Sequence, residues 1–108
     1  MVAQRDWLNQ EEDTRCLLVE GDAMTPMVAD GAFVAYMDRV EPLESLDHQL
    51  VVARVEGELI VRWLQLSGRY AILRAENPEA ESATKLLELP SRLEEHPIRR
   101  VLWISTPH

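Results

Sequence analysis

The chain has 108 residues, of which 46% are hydrophobic and 28% charged, and its formal net charge is −8. That length suits a single domain, and the acidic balance excludes one that grips a nucleic-acid backbone by itself, which needs a basic patch to release counterions. No apolar run approaches the roughly 20 residues of a bilayer span and no leader-like segment follows Met1, so a cytoplasmic chain with no membrane partner is expected.

Residues 1–15 are polar and read as an amino-terminal linker or arm, apart from Trp7-Leu8, an apolar pair able to dock on the domain. Residues 16–108 read as the domain proper. Arg15 to Glu20 reads as a short buried strand. Within it Cys16 stands in the run Cys16-Leu17-Leu18-Val19, as a small buried hydrophobe in a reducing compartment. The stretch "GDAMTPMVADGA" then spaces Gly, Asp and Pro as turns around the apolar anchors Met24, Met27 and Val28. Phe33 to Met37 is a second strand, and the loop that follows is broken by Pro42.

The clearest local signal comes next. The runs "QLVVARV" and "ELIVRWL" flank Glu56-Gly57, a two-residue turn between β-branched arms, which predicts a hairpin. Alternation in the second arm sends Leu59, Val61 and Trp63 to one face and Ile60, Arg62 and Leu64 to the other. A turn at Ser67-Gly68 leads into the strand "YAILRA", which Asn77-Pro78 ends. "ATKLLELP" suits either a strand or a helical turn, and "PIRRVLWIST" reads as a closing strand. Short turns between strands, with no long amphipathic helix, predict a mainly β domain of coiled sheets.

Other motifs carry little chemistry. His48, His96 and His108 are widely spaced and read as solvated or capping side chains, so no metal site is expected. Glu11-Glu12-Asp13 and Glu94-Glu95 read as solvated surface rather than paired catalytic carboxylates. The dense basic pair Arg99-Arg100 stands close in sequence to Glu94 and Glu95. Gly21 and Gly31 lack the strand–loop–helix setting of a phosphate cradle, and no cofactor is expected.

"VEGDAMTP", with "DGAFVAY" downstream and the hairpin beyond, resembles the carboxy-terminal domains of LexA-like and phage repressors and their UmuD-type relatives. These form the S24 group of self-cleaving serine peptidases. The family pattern is Gly-Asp-Ser-Met-x-Pro, then Asp-Gly-Asp before a hydrophobic strand. A hairpin with Val-Val-Ala-Arg and Val-Lys-Arg-Leu follows, and then a strand ending near Glu-Asn. The matching residues here are Gly21, Asp22, Met24 and Pro26; Asp30 and Gly31; Val51, Val52, Ala53 and Arg54; Val61 and Leu64; Glu76 and Asn77. The resemblance spans roughly residues 16–105 and implies a LexA/signal-peptidase-like fold of highly twisted antiparallel sheets.

Two departures bear on activity. The family's nucleophilic serine falls on Ala23, which has no hydroxyl, and its general-base lysine falls on Arg62 in the second hairpin arm. A serine–lysine dyad needs a neutral amine to take the serine proton. Arginine stays protonated and cannot serve. The bond that the resemblance leads one to look for upstream, Ala-Gly or Cys-Gly, does not occur in residues 1–20. Arg62 is expected either to bond Asp22 or the carbonyls of the "GDAM" turn, clasping that loop shut, or to snorkel over an apolar face.

The resemblance implies a catalytically silent domain serving dimerisation or regulation in a transcriptional regulator, as in the SOS response, with DNA contacted only by a separate amino-terminal domain. The alternatives are a self-cleaving peptidase domain inactivated by mutation and a stand-alone UmuD-like module for a protein partner. A homodimer is expected. Val101 and Trp103 on the closing strand are its interface candidates, with Trp103 equally able to fill the monomer's own core.

Overall fold

The structure is a computed structural model that describes residues 13–105. Trp7-Leu8, Glu11, Glu12 and His108 lie outside the described residues. Among the described residues seven strands form one antiparallel sheet: β1 (Thr14–Leu18), β2 (Phe33–Met37), β3 (Leu50–Val55), β4 (Glu58–Ser67), β5 (Tyr70–Arg74), β6 (Lys85–Glu88) and β7 (Ile98–Ser105), in the order β1-β2-β7-β3-β4-β5-β6. Only short 3₁₀ turns interrupt them, at Leu43–Leu46, Pro78–Ala83 and Leu93–Glu95. The fold is thus mainly β, and "ATKLLELP" supplies a strand. Among the described residues no helix is long and apolar enough to cross a membrane.

β7 makes the sheet curl. Its first residues pair with β3, Arg100 opposite Val51, and its later ones with β2, Trp103 opposite Ala35. The register shifts between Ala35 and Tyr36, a bulge that bends the sheet where β7 changes partner.

The β3–β4 hairpin turns at Glu56-Gly57, with φ of 53° and 83° at the two residues. Both are positive, as a type I′ turn requires, and such a turn matches the twist of the flanking strands. A Cβ added at Gly57 would meet nothing within 4 Å, so glycine serves the dihedral there rather than space.

Alternation along β4 builds two cores, one on each side of the hairpin. Ile60, Leu64 and Leu66 join Leu43, Leu46, Val51, Ala53, Ala71, Leu73 and Ile98. Leu59, Val61 and Trp63 join Met24, Val28, Ala32, Val34, Tyr36 and Val52.

Two expectations are corrected. The first strand is largely exposed: Thr14 is buried, but Arg15, Cys16 and Leu18 are open to solvent. β1 is an edge strand, so its apolar run has neighbours on one side only. Leu17 alone of the run Cys16-Leu17-Leu18 packs against a core. His96 is the reverse case, being 1% exposed rather than solvated. Its Nδ1 accepts from the Ile98 N–H at 3.2 Å, which assigns the ring hydrogen to Nε2, 2.6 Å from the Glu41 carbonyl. That bond ties the loop after β2 to the start of β7. Arg99 and Arg100, close in sequence to Glu94 and Glu95, find their partners elsewhere. They reach Asp38 at 3.3 Å and Glu41 at 3.1 Å, while both glutamates pair with Arg92.

Candidate functional site

Residues 19–32 form a closed loop between β1 and β2. Two main-chain bonds shut its neck, Val19 N–H to the Ala32 carbonyl and Gly31 N–H to the Val19 carbonyl, each 2.8 Å. Gly21 and Gly31 both have positive φ, 91° and 89°, where a side chain would be strained. The carboxylate of Asp30 accepts from the Gly21 N–H at 2.8 Å and so spans the loop. Met24, Val28 and Ala32 sink into the second core. The Thr25–Pro26 peptide is cis.

This loop faces the second hairpin arm across a cleft of about 440 Å³. One wall is Leu17 to Gly21 with Ala23 and Met24, and the other is Glu58 to Arg62. The two positions singled out in the sequence, Ala23 and Arg62, therefore line one cleft although they belong to a loop and a distant strand. Among the described residues no hydroxyl, thiol or amine side chain lines it, and their ionisable groups there are Glu20, Glu58 and Arg62.

Arg62 does not clasp the loop. Its Nε donates to the Ala83 carbonyl at 3.0 Å and its NH1 to the Val61 carbonyl at 2.7 Å. The guanidinium is half-buried, and burial lowers its pKa. Among the described residues no bond joins it to the loop, where the carbonyls of Asp22, Ala23 and Met24 accept from other donors. That of Asp22 accepts from Thr25 N–H, Thr25 Oγ1 and Asn77 Nδ2, that of Ala23 from Asn77 N–H, and that of Met24 from Val28 N–H.

The residue that holds the loop is Asn77. Its N–H reaches the Ala23 carbonyl at 3.0 Å, its Nδ2 reaches the Asp22 carbonyl at 3.0 Å, and the adjoining Glu76 N–H points at Met24 Sδ, 3.3 Å away. Sequence reasoning placed Asn77 only as the end of a strand and part of the Glu76-Asn77 match. The Ala83 carbonyl that receives Arg62 carries no signal, since any residue supplies a carbonyl. Both walls of the cleft are thus tied to one segment, residues 76–84.

The other marked residues lie elsewhere. Val101 packs against the second core, and Trp103, half-exposed, lies opposite Ala35 in β2. β7 lies inside the sheet order, but it pairs with β3 only as far as Arg100 and with β2 only from Val101 onward.

A search of the curated proteins finds no match. A family model described as peptidase S24-like matches residues 1–88, from the amino terminus through the loop, the hairpin and the 76–84 segment to the end of β6. That is most of the chain and includes both walls of the cleft, and the chain belongs to the peptidase S24-like family.

Proposed function

We propose that this chain is a catalytically silent S24/LexA-like domain that serves dimerisation or regulation in a bacterial or phage transcriptional regulator acting in the cytoplasm, with DNA contacted by a separate amino-terminal domain. One observation carries the silent part: at the cleft where the family places its serine and lysine stand a methyl group and a guanidinium bonded to two carbonyls. A serine–lysine mechanism needs a hydroxyl to attack and a neutral amine to take its proton. Among the described residues neither group lines the cleft, and a guanidinium does not give up its proton at working pH. The net charge of −8 fits a domain that leaves DNA to another module.

The test is to hold the purified chain with an Ala-Gly peptide from neutral to alkaline pH and follow both by mass spectrometry. Both are expected to stay intact, and cleavage at a defined bond would end the silent reading. Sedimentation across a concentration series is expected to show a dimer. A monomer throughout would remove dimerisation from the function. Trp103→Glu is expected to weaken the dimer if β7 lies at its interface.

A further inference from the structure

On the far side of the Asn77 segment a second concavity, of about 630 Å³, opens over β5. Its lining includes Ile72, Arg74, Ala75, Glu76, Pro78 and Thr84. The volume lies within the roughly 300–1,000 Å³ of small-molecule sites. Ile72 pairs with Leu86 of β6 and Arg74 with Trp63 of β4, so the floor continues into an apolar strip on which Leu86 is 64% exposed.

The polar groups around this floor are only partly used. Arg74 donates from NH1 to Gln65 Oε1 at 2.8 Å, which leaves its other guanidinium nitrogens open among the described residues. Glu76 accepts from Trp63 Nε1 through Oε1 at 2.8 Å, which leaves Oε2 open among the described residues. Thr84 Oγ1 accepts from the Ala75 N–H at 2.9 Å and keeps its own hydrogen to donate. Arg74 and Glu76 form no ion pair with each other. Each is drawn instead to a neutral partner on β4. Arg74 ends β5 and Glu76 lies in the bend just after it, and both line the concavity.

We propose that this concavity binds a free apolar α-amino acid. Its carboxylate accepts from Arg74 and the Thr84 hydroxyl, its ammonium donates to Glu76 Oε2, and its side chain lies on Ile72 and Pro78. A simple anion would meet the Glu76 carboxylate and a simple cation the Arg74 guanidinium. A zwitterion with both charges on one carbon satisfies the two together. Both protein charges face solvent, where ion pairs contribute modestly, so half-saturation falls in the millimolar range. The site is independent of the cleft and of whether the cleft ever cleaves.

The experiment is a ¹H–¹⁵N titration of the whole chain with L-leucine. Saturable shifts are expected at Ile72, Arg74, Ala75 and Thr84. Leucinamide, without the carboxylate, and N-acetyl-leucine, without the ammonium, are each expected to bind at least about tenfold more weakly. Arg74→Ala and Glu76→Gln, which change exposed side chains, are expected to weaken leucine by about tenfold with the spectrum still dispersed. No saturable shift, or either blocked analogue binding as tightly as leucine, overturns the proposal. Tighter binding of leucyl-leucine than of leucine also overturns it and reassigns the concavity to peptide termini.

Discussion

Asn77 holds Ala23 from behind. Its main-chain N–H donates to the Ala23 carbonyl at 3.0 Å, and its side-chain amide donates to the neighbouring Asp22 carbonyl at the same distance. Asn77 Oδ1 also accepts from the Glu79 N–H at 2.9 Å, which sets the turn that starts at Pro78. One side chain thus fixes both the loop and the segment that supports it. Asn77→Ala keeps the main-chain bond and loses the other two, at a cost of about 1–2 kcal/mol. For a domain near this size that is a fall in Tm of about 4–8 °C per kcal/mol, read by thermal unfolding. An unchanged Tm would mean that the loop is set by its own neck bonds and core anchors.

Arg62 pits two effects against each other. Its two hydrogen bonds stabilise the fold, while burial of half the guanidinium costs free energy and lowers its pKa. The group is charged in both the folded and unfolded states at working pH, so this balance carries no pH dependence there. Arg62→Met keeps the apolar stem and removes both bonds, and it is expected to lose about 1 kcal/mol in a urea titration, with faster amide exchange around Ala83. If Arg62→Met proves as stable or more so, desolvation wins and Arg62 only covers apolar surface.

The hairpin was legible because its signals are local: alternation in two short runs and a glycine in a two-residue turn. The same alternation separated the residues of the two cores along β4. Cys16 misled because the burial of an apolar run depends on strand order, and β1 lies at an edge. His96 misled because its partner, the Glu41 carbonyl, comes from a loop 55 residues away. The meeting of Ala23 and Arg62 at one cleft was reachable only through family resemblance, since nothing in their spacing joins a loop to a strand. The grip of Asn77 and the acceptor at Ala83 use main-chain atoms, to which side-chain patterns are blind.

Tyr36 predicts a pH effect. Its pKa is raised above the usual tyrosine value of 10.0, first by burial and then by Asp38, with Arg15, Arg54 and Arg99 opposing. Below that value the hydroxyl is protonated in both states and the shift has no effect. Above it the unfolded chain loses the proton first, so the unfolded state binds fewer protons and stability falls as pH rises. The wild type should therefore lose stability above about pH 10 relative to Tyr36→Phe, while the two differ little near pH 7. Urea midpoints across the alkaline range check this. Parallel curves would mean that Tyr36 ionises as freely in the fold as out of it.

Glu56 sits at φ 53° in the hairpin turn, a conformation that asparagine tolerates better than glutamate. Its side chain is exposed and makes no bond in the turn, so replacement removes strain without removing a contact. Glu56→Asn is expected to raise stability by about 0.5–1 kcal/mol. Gly57→Ala, at φ 83°, is expected to lower it by about 1 kcal/mol through strain alone. Thermal midpoints shifting in opposite directions would identify the turn dihedrals as the cause, and two equal falls would point to a different turn geometry.

The chemistry of the cleft is tested by rebuilding it in two steps. Ala23→Ser alone places a hydroxyl in the cleft but leaves Arg62 as the only cationic side chain there among the described residues. A guanidinium accepts no proton at working pH, so this variant should leave an Ala-Gly peptide uncut. Adding Arg62→Lys supplies an amine on the same half-buried stem, where desolvation favours the neutral form. General-base assistance of this kind is worth about 10²–10⁴-fold, so the double variant should cut the peptide faster than Ala23→Ser by that order. The dependence should rise with pH as the lysine loses its proton. Ala23→Ser cutting at full rate by itself would show that a group other than residue 62 takes the proton, and the account of why this cleft is silent would then fail.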